Sequence, residues 1–362
     1  MNNPLLIGLT TGGAFLLSFV LFSHPQKKNL LASKWLGIFV ATLGCAMLEI
    51  FIHTVNLQEK YRFGLSSVEA SRFLSAPALF LSVVFYTSAV KQFHYRYLWH
   101  FLPFLLFFSL NLCEPKLSPG PFTTFAFLVI KGSLPLQTVI YIILCFVRLK
   151  KHSQNLREIV SSTEYQDLSW LKNFLVVLVV VVLIWLNLAF FNFKPLYNFT
   201  PFIYLASVYF LAYFSLGQRE VYAFNSAQLE EVEKIIHPKT TKQKRLSDDE
   251  ILLLKNRLEK LMKETRIYLE NDLTLPVLAS EMNTSIHDLS FLINHAYNEN
   301  FFSFINKYRI EEAKSLLLSE KFNHLNILGI AFQSGFNSKT TFNITFKKHT
   351  GLSPTDYVKS QR

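Results

Sequence analysis

Apolar and polar positions divide the chain into two halves of different character. Seven apolar stretches fill the first half, at about residues 5–22, 35–53, 73–90, 98–112, 134–147, 171–191 and 201–216. A helix of roughly 20 apolar residues spans a bilayer. After residue 217, apolar residues recur every three or four positions, which is typical of amphipathic helices. We therefore predict an all-α fold: a polytopic membrane helix bundle of about seven spans, followed by a cytoplasmic all-α domain.

Composition and charge agree with a membrane portion. The 362 residues are 51% hydrophobic and 15% aromatic, which is too apolar for a purely soluble protein of this size. The net charge is +11, but the first 216 residues hold 16 Lys and Arg against 7 Asp and Glu, and the remainder holds 20 against 18. Most of the excess therefore lies in short loops between apolar stretches, where it indicates membrane orientation rather than nucleic acid.

The loops also predict how the chain crosses the membrane. Ten Lys and Arg residues fall on one side of the seven stretches and six on the other, so the positive-inside rule favours an outside amino terminus. An odd number of spans then places the carboxyl half in the cytoplasm. The first stretch has no basic residue before it, and we expect it to be an uncleaved span of a multi-pass protein in the inner (cytoplasmic) membrane.

A polar connection separates the two halves. Residues 218–238 keep helical spacing and are expected to continue the last span inward as a signalling helix, whereas 239–245 contain no apolar residue and predict a hinge. Ser247 and Glu250 then have the spacing of a capping box. The expected domains are residues 1–217, the connection 218–246, and residues 247–362.

Residues 326–349 predict a helix-turn-helix. The residues that define it are two apolar faces, a turn glycine with an apolar plug, and a serine N-cap: Ile327, Ile330, Ala331, Phe332, Gly335, Phe336, Ser338, Phe342 and Phe346. The remaining face of the second helix carries Lys339, Thr340, Asn343 and Lys347. These side chains donate hydrogen bonds suited to base edges and phosphates.

This stretch, extended to Tyr357, resembles the second helix-turn-helix of AraC/XylS-type transcription regulators; an ordinary amphipathic helical hairpin is the alternative. The resemblance covers about residues 258–357. It implies that Lys339, Thr340 and Asn343 approach bases, that Lys347 approaches a phosphate, and that Ser338 lies at the start of the DNA-binding helix. Solvated surface residues are the alternative at each position.

A first helix-turn-helix is predicted at residues 275–296, joined to the second by a long helix at 301–318. The outward positions that match the family are His287, Ser290, Phe291 and Asn294. Phe291 departs from the longer polar or basic groups of the family, and it either contacts a thymine methyl or packs. Lys307 and Arg309 on the joining helix are expected to be solvated or paired with Glu311 and Glu312.

Within the membrane half, Glu49 and His53 lie four residues apart in the second stretch. A carboxylate at membrane depth is costly, so the pair either lines a ligand cavity or lies hydrated near the outer interface. Three cysteines, Cys45, Cys113 and Cys145, have no metal spacing. No catalytic motif is present, so we predict neither an enzyme nor a metal or cofactor site.

These observations leave two main hypotheses. The first is a membrane-anchored, sequence-specific transcription regulator that binds double-stranded DNA as a homodimer. Its membrane part either anchors it or senses a small amphipathic ligand. The second is a passive membrane tether for DNA or a partner protein. A membrane acyltransferase is a distant third, because His53 lacks a partner motif.

Overall fold

The chain folds into helices that form two compact units. The computed structural model describes residues 3–23, 28–89, 91–113, 121–164, 166–191, 193–236, 246–319 and 325–361. The first unit comprises Met1–Lys150 and Leu168–Val221, and the second comprises Lys151–Asp167 and Tyr222–Arg362. Over the described ranges there is no β-strand, only one isolated bridge between Val160 and Thr274. The predicted all-α class is confirmed.

Eight helices make up the described part of the first unit. They are α1 (Pro4–Ser23), α2 (Leu30–Thr54), α3 (Arg62–Thr87), α4 (Leu102–Cys113), α5 (Pro121–Leu156), α6 (Ser169–Phe190), α7 (Lys194–Tyr197) and α8 (Thr200–Gly217). Six segments of these helices are long and apolar enough to cross a bilayer: Pro4–Ser23, Leu30–Thr54, Ser67–Thr87, Gly132–Leu156, Ser169–Asn187 and Thr200–Gly217. The fourth predicted stretch is instead a 3-10 segment, Tyr95–Phe101, that leads into the 12-residue α4.

Close helix contacts in the first unit depend on small residues. A Cβ added to Gly37 of α2 would lie 3.3 Å from the Ser18 carbonyl oxygen of α1, and the Ser18 hydroxyl donates to the Gly37 carbonyl at 2.9 Å. Similarly, Ser82 of α3 donates to the Ala32 carbonyl of α2 at 3.0 Å. Small side chains and interhelical hydrogen bonds of this kind hold helices together where water supplies no hydrophobic drive.

The helix expected to continue the last span does not do so. Residue Gly217 ends α8, Gln218 is extended with φ −65° and ψ 118°, and the chain becomes helical again only at Ser226. The Asn225 side chain accepts a hydrogen bond from Gln228 N at 2.9 Å, so it starts a new helix. The continuous helix is therefore a wrong prediction, and the proposed hinge 239–245 lies outside the described residues.

The second unit contains the remaining helices. They are α9 (Ser226–Ile236), α10 (Asp248–Thr265), α11 (Leu275–Glu281), α12 (Ile286–Ala296), α13 (Phe301–Leu318), α14 (Ile327–Gln333), α15 (Lys339–Thr350) and α16 (Pro354–Gln361). The capping box of Ser247 and Glu250 at the start of α10 is confirmed. The α9 helix packs against α12. We call α12 and α15, the second helices of the two helix-turn-helix units, the reading helices.

The second helix-turn-helix packs on α13 through one hydrophobic cluster. Its buried residues are Ile310, Ala313, Leu316, Ile330, Ala331, Phe336, Phe342 and Phe346. Phe332 was predicted to lie on the apolar face of α14. It is 47% exposed, because the short α14 turns only one side toward α13. Between α14 and α15 the backbone must turn sharply, and Gly335 does so with φ +88°.

Replacing Gly335 with Ala is expected to destabilise the second unit by more than about 2 kcal/mol, because the positive φ is strained for a side chain and the new Cβ meets the Tyr268 carbonyl oxygen at 2.9 Å. Gly329→Ala, inside α14, is the matched control and should stabilise or leave stability unchanged within about 1 kcal/mol. Thermal unfolding of the full-length protein in detergent, followed by circular dichroism, measures both. Equal midpoints for the two variants would contradict this account of the turn.

Candidate nucleic-acid interface

Local capping fixes where each reading helix begins. Ser338 is the N-cap of α15 and its side chain accepts from Thr341 N, while Ser285 caps α12 by accepting from Asp288 N at 3.0 Å. The α15 helix ends at Gly351, whose φ of +78° is the left-handed conformation common after helices. Ser338 was expected from the sequence as a helix start, because capping depends on residues only three positions apart.

The outer face of α15 presents the donors predicted from the sequence. Lys339, Thr340 and Lys347 are exposed, and Asn343 is half-buried between them. Because Phe342 and Phe346 are fully buried on the opposite side, rotation of α15 about its axis is fixed. The four polar side chains therefore share one face of a helix held rigidly by its own core.

One further residue of this face was missed in the sequence. Ile344 is 65% exposed and lies beside Thr340 and Lys347 in the helical register. An exposed isoleucine among hydrogen-bond donors suits a thymine methyl, which only the major groove displays. Helical periodicity alone places Ile344 on this face, so the signal was present in the sequence.

The reading face of α12 is less polar than that of α15. Asn294 is exposed, His287 is half-buried, and Phe291 is half-buried with its ring stacked on His295 at a centroid distance of 5.2 Å. Ser290 does not face outward as expected: it is only 9% exposed, and its carbonyl accepts from the Asn294 side chain at 3.0 Å. Packing of neighbouring helices against α12 explains its burial.

Arg309 of α13 lies in the interior of the second unit. It is 0% exposed, and its guanidinium donates to the Tyr268 carbonyl at 2.7 Å, the Glu270 carbonyl at 2.7 Å and the Ser161 hydroxyl at 2.9 Å. Burial lowers the pKa of Arg309 to about 9, still well above neutral pH. The expectation that Arg309 is solvated or paired with Glu311 and Glu312 is therefore wrong, although Lys307 does pair at the surface, with Glu299 at 3.6 Å.

The segment 151–167, which consists of the last six residues of α5 and the connection to α6 and is called the loop below, joins this interior from far away in sequence. Leu275 N donates to the Ile159 carbonyl at 2.8 Å, and Ser161 N donates to the Leu273 carbonyl at 3.1 Å. Backbone pairing of this kind fixes the loop to the start of the first helix-turn-helix. Nothing in the local sequence pattern predicted it.

The same loop also contacts the start of α13. Phe302 N donates to the Arg157 carbonyl at 2.9 Å, and the Arg157 guanidinium lies 5.6 Å from the centre of the Phe302 ring. The Asn306 side chain donates to the Ser161 carbonyl at 3.1 Å. The loop is thus held by α13, which joins the two helix-turn-helix units.

Two carboxylates of the loop lie beside residues that are predicted to bind DNA. Burial raises the pKa of the Glu158 carboxyl, and the neighbouring Asn294 side chain opposes this effect. Burial also raises the pKa of the Glu164 carboxyl, and the neighbouring Ser338 side chain opposes this effect. The loop therefore contacts both helix-turn-helix units next to their reading faces.

Comparison with known proteins gives a family match within the second unit. Residues 278–360 match a family model described as a helix-turn-helix domain. The match supports the similarity of this part of the chain to AraC-type helix-turn-helix domains. The match covers both reading helices and supports a DNA-binding transcription regulator. No curated protein and no solved structure gives a significant match to the chain.

The structure gives Glu49 and His53 of α2 different surroundings. Glu49 forms an ion pair with Arg72 of α3, and His53 is exposed. The Arg72 guanidinium also lies 5.9 Å from the centre of the Trp185 ring. Arg72 and Trp185 border a cavity of about 70 Å³ whose other lining residues are mainly apolar, among them Leu43.

Arg309→Leu is expected to destabilise the second unit by about 3 kcal/mol or more, because the acceptors on Tyr268, Glu270 and Ser161 lose their charged donor while remaining buried. The exposed Lys307→Leu on the same helix should change stability by less than about 1 kcal/mol. Thermal unfolding of the full-length protein in detergent distinguishes them. Similar midpoints would mean that the buried guanidinium adds no net stability.

Proposed function

We propose that the protein is a membrane-anchored, sequence-specific transcription regulator that binds double-stranded DNA through two helix-turn-helix units. The observation that carries this proposal is the outer face of α15, where Lys339, Thr340 and Lys347 are exposed on a helix fixed by its aromatic core. Side chains of this kind supply both base contacts and phosphate contacts. The family-model match over residues 278–360 supports the same function.

In this proposal the two helix-turn-helix units contribute unequally to DNA affinity. From residue 324 onward the sequence holds five Lys and Arg against one Asp, a local excess of +4. The face of α12 carries a stacked Phe291 and a buried Ser290 instead of long basic groups. We assign most of the DNA affinity to α15. His287 and Asn294 of α12 add base contacts in an adjacent major-groove segment.

Lys339→Ala and Asn343→Ala are expected to weaken specific binding by about 1–3 kcal/mol each, and Lys347→Ala to lower the slope of log affinity against log salt by about 1. The probe is the duplex recovered by mapping genomic binding sites of the tagged full-length protein. Lys260→Ala, which removes an exposed positive charge from α10, is the matched control. Affinities and salt slopes equal to the control in all three variants would refute the assigned interface.

We further propose that the membrane unit transmits a signal rather than serving only as a tether. One connection suffices for a passive tether, whereas here both the loop 151–167 and α9 fold into the second unit. The passive alternative has a direct test. If residues 239–362 alone drive the target promoter as the full-length protein does, under every condition tried, the signalling proposal fails.

The proposed ligand of the membrane unit is a small amphipathic molecule. Glu49, with its partner Arg72, offers polar groups beside an apolar cavity, and His53 lies one helical turn along α2. Any such ligand acts by binding one conformation of the protein more tightly than another. A homodimer is part of the proposal, supported by Leu252 and Leu253, which are 58% and 70% exposed on α10.

The proposed topology is a multi-pass protein of the inner membrane with its amino terminus outside and the DNA-binding unit in the cytoplasm. A tag placed before residue 1 should then be open to protease in intact spheroplasts, and a tag after residue 362 should be protected. Seven crossings give opposite sides for the two tags. Tags on the same side would indicate six crossings, with the segment containing α4 failing to cross.

A further inference from the structure

Three carboxylates from membrane-proximal segments lie against the two reading helices. Glu231 of α9 accepts a hydrogen bond from Ile286 N, the first residue of α12, at 3.3 Å. Glu158 and Glu164, from the loop 151–167, lie beside the side chains of Asn294 and Ser338 respectively, and next to Ser338 the Asn337 side chain donates to the Ser162 hydroxyl of the loop at 3.4 Å. These contacts come from two segments that are distant in sequence, and neither segment belongs to the helix-turn-helix sequence.

The groups that these carboxylates contact are ones that DNA would also bind. Free N–H groups at the start of a helix bind phosphate oxygens, and a carboxylate satisfies the same donor with the same charge. Ile286 N is such a donor at the start of α12. Asn294 is a predicted base contact, and Ser338 begins α15. A phosphate brought to any of these positions meets a negative charge already there.

The carboxylates are held in place by a fixed segment of the loop. Ile159 and Val160 are 0% and 2% exposed, and Ser161 is tied to Arg309 and Leu273. Glu158 and Glu164 flank this segment on its two sides. The loop continues directly into α5 at one end and into α6 at the other, so displacement of either helix end changes where the carboxylates lie.

We propose that Glu158, Glu164 and Glu231 form an autoinhibitory contact that competes with DNA for the reading helices. The inference rests on the proposed DNA-binding function. DNA must displace the three carboxylates before it reaches Ile286 N, Asn294 and Ser338, and a movement of α5, α6 or α9 that withdraws them raises DNA affinity. The fixed segment 159–161 need not leave its position for this to happen.

The test compares two triple variants of the full-length protein in lipid nanodiscs. Glu158→Ala, Glu164→Ala and Glu231→Ala together remove the contact. The control combines Glu230→Ala, Asp249→Ala and Glu264→Ala, three exposed carboxylates of α9 and α10. Both variants change the net charge by +3, so any general electrostatic gain in DNA affinity is the same in each.

Binding is measured by fluorescence anisotropy with a labelled 30-base-pair duplex taken from a mapped genomic site. The first variant should bind at least about 10-fold more tightly than the native protein, within the range of ordinary coupling between sites, and at least about fivefold more tightly than the control. Equal affinities of the two variants would overturn the autoinhibitory contact and leave the DNA-binding function standing. Absence of binding by the native protein and both variants would overturn the function, and the inference with it.

A second set of variants guards against a folding defect. If the alanine variant unfolds at a lower temperature than the native protein, Glu158→Gln, Glu164→Gln and Glu231→Gln replace it, because glutamine keeps the size and an acceptor oxygen while removing the charge. Glu230→Gln, Asp249→Asn and Glu264→Gln are then the control. A gain in affinity over this control supports the contact, and no gain overturns it.

Discussion

The buried guanidinium of Arg309 organises the second unit. A buried charge is tolerated only where its hydrogen bonds are satisfied within the protein. Arg309 meets this condition with acceptors from two separate parts of the chain, Tyr268 and Glu270 before α11 and Ser161 in the loop. Its guanidinium also lies 5.8 Å from the Phe336 ring, in the turn of the second helix-turn-helix. The relative position of the two helix-turn-helix units thus depends on a side chain that was expected at the surface.

The loop 151–167 is therefore part of the DNA-binding unit, although it lies between two apolar helices in sequence. Its buried residues Ile159 and Val160 fill space beside α11 and α13, and its backbone supplies acceptors that α11 and α13 use. A DNA-binding unit completed in this way depends on a segment whose two ends are continuous with α5 and α6. This connectivity alone provides a structural basis for communication between α5 and α6 and the DNA-binding unit.

Features that depend on neighbouring residues could be read from the sequence, whereas those that depend on distant pairing could not. The caps Ser247 and Ser338 and the turn at Gly335 were predicted because each involves only a few successive residues. The contact of Ser161 with Leu273 joins residues 112 positions apart, and the loop has no periodicity of its own. The outward position predicted for Ser290 was wrong for a related reason. Helical spacing places Ser290 outward, but other helices that pack on α12 cover it.

The backbone passes between the two units three times, after Lys150, after Asp167 and after Val221. One proteolytic cut in the bend between α8 and α9 would break a single covalent path. Residues 226–361 would then still be held by the hydrogen bonds of the loop, which remains joined at both ends to membrane-length helices. The architecture thus favours control within an intact molecule over the release of a separate fragment by a single cleavage.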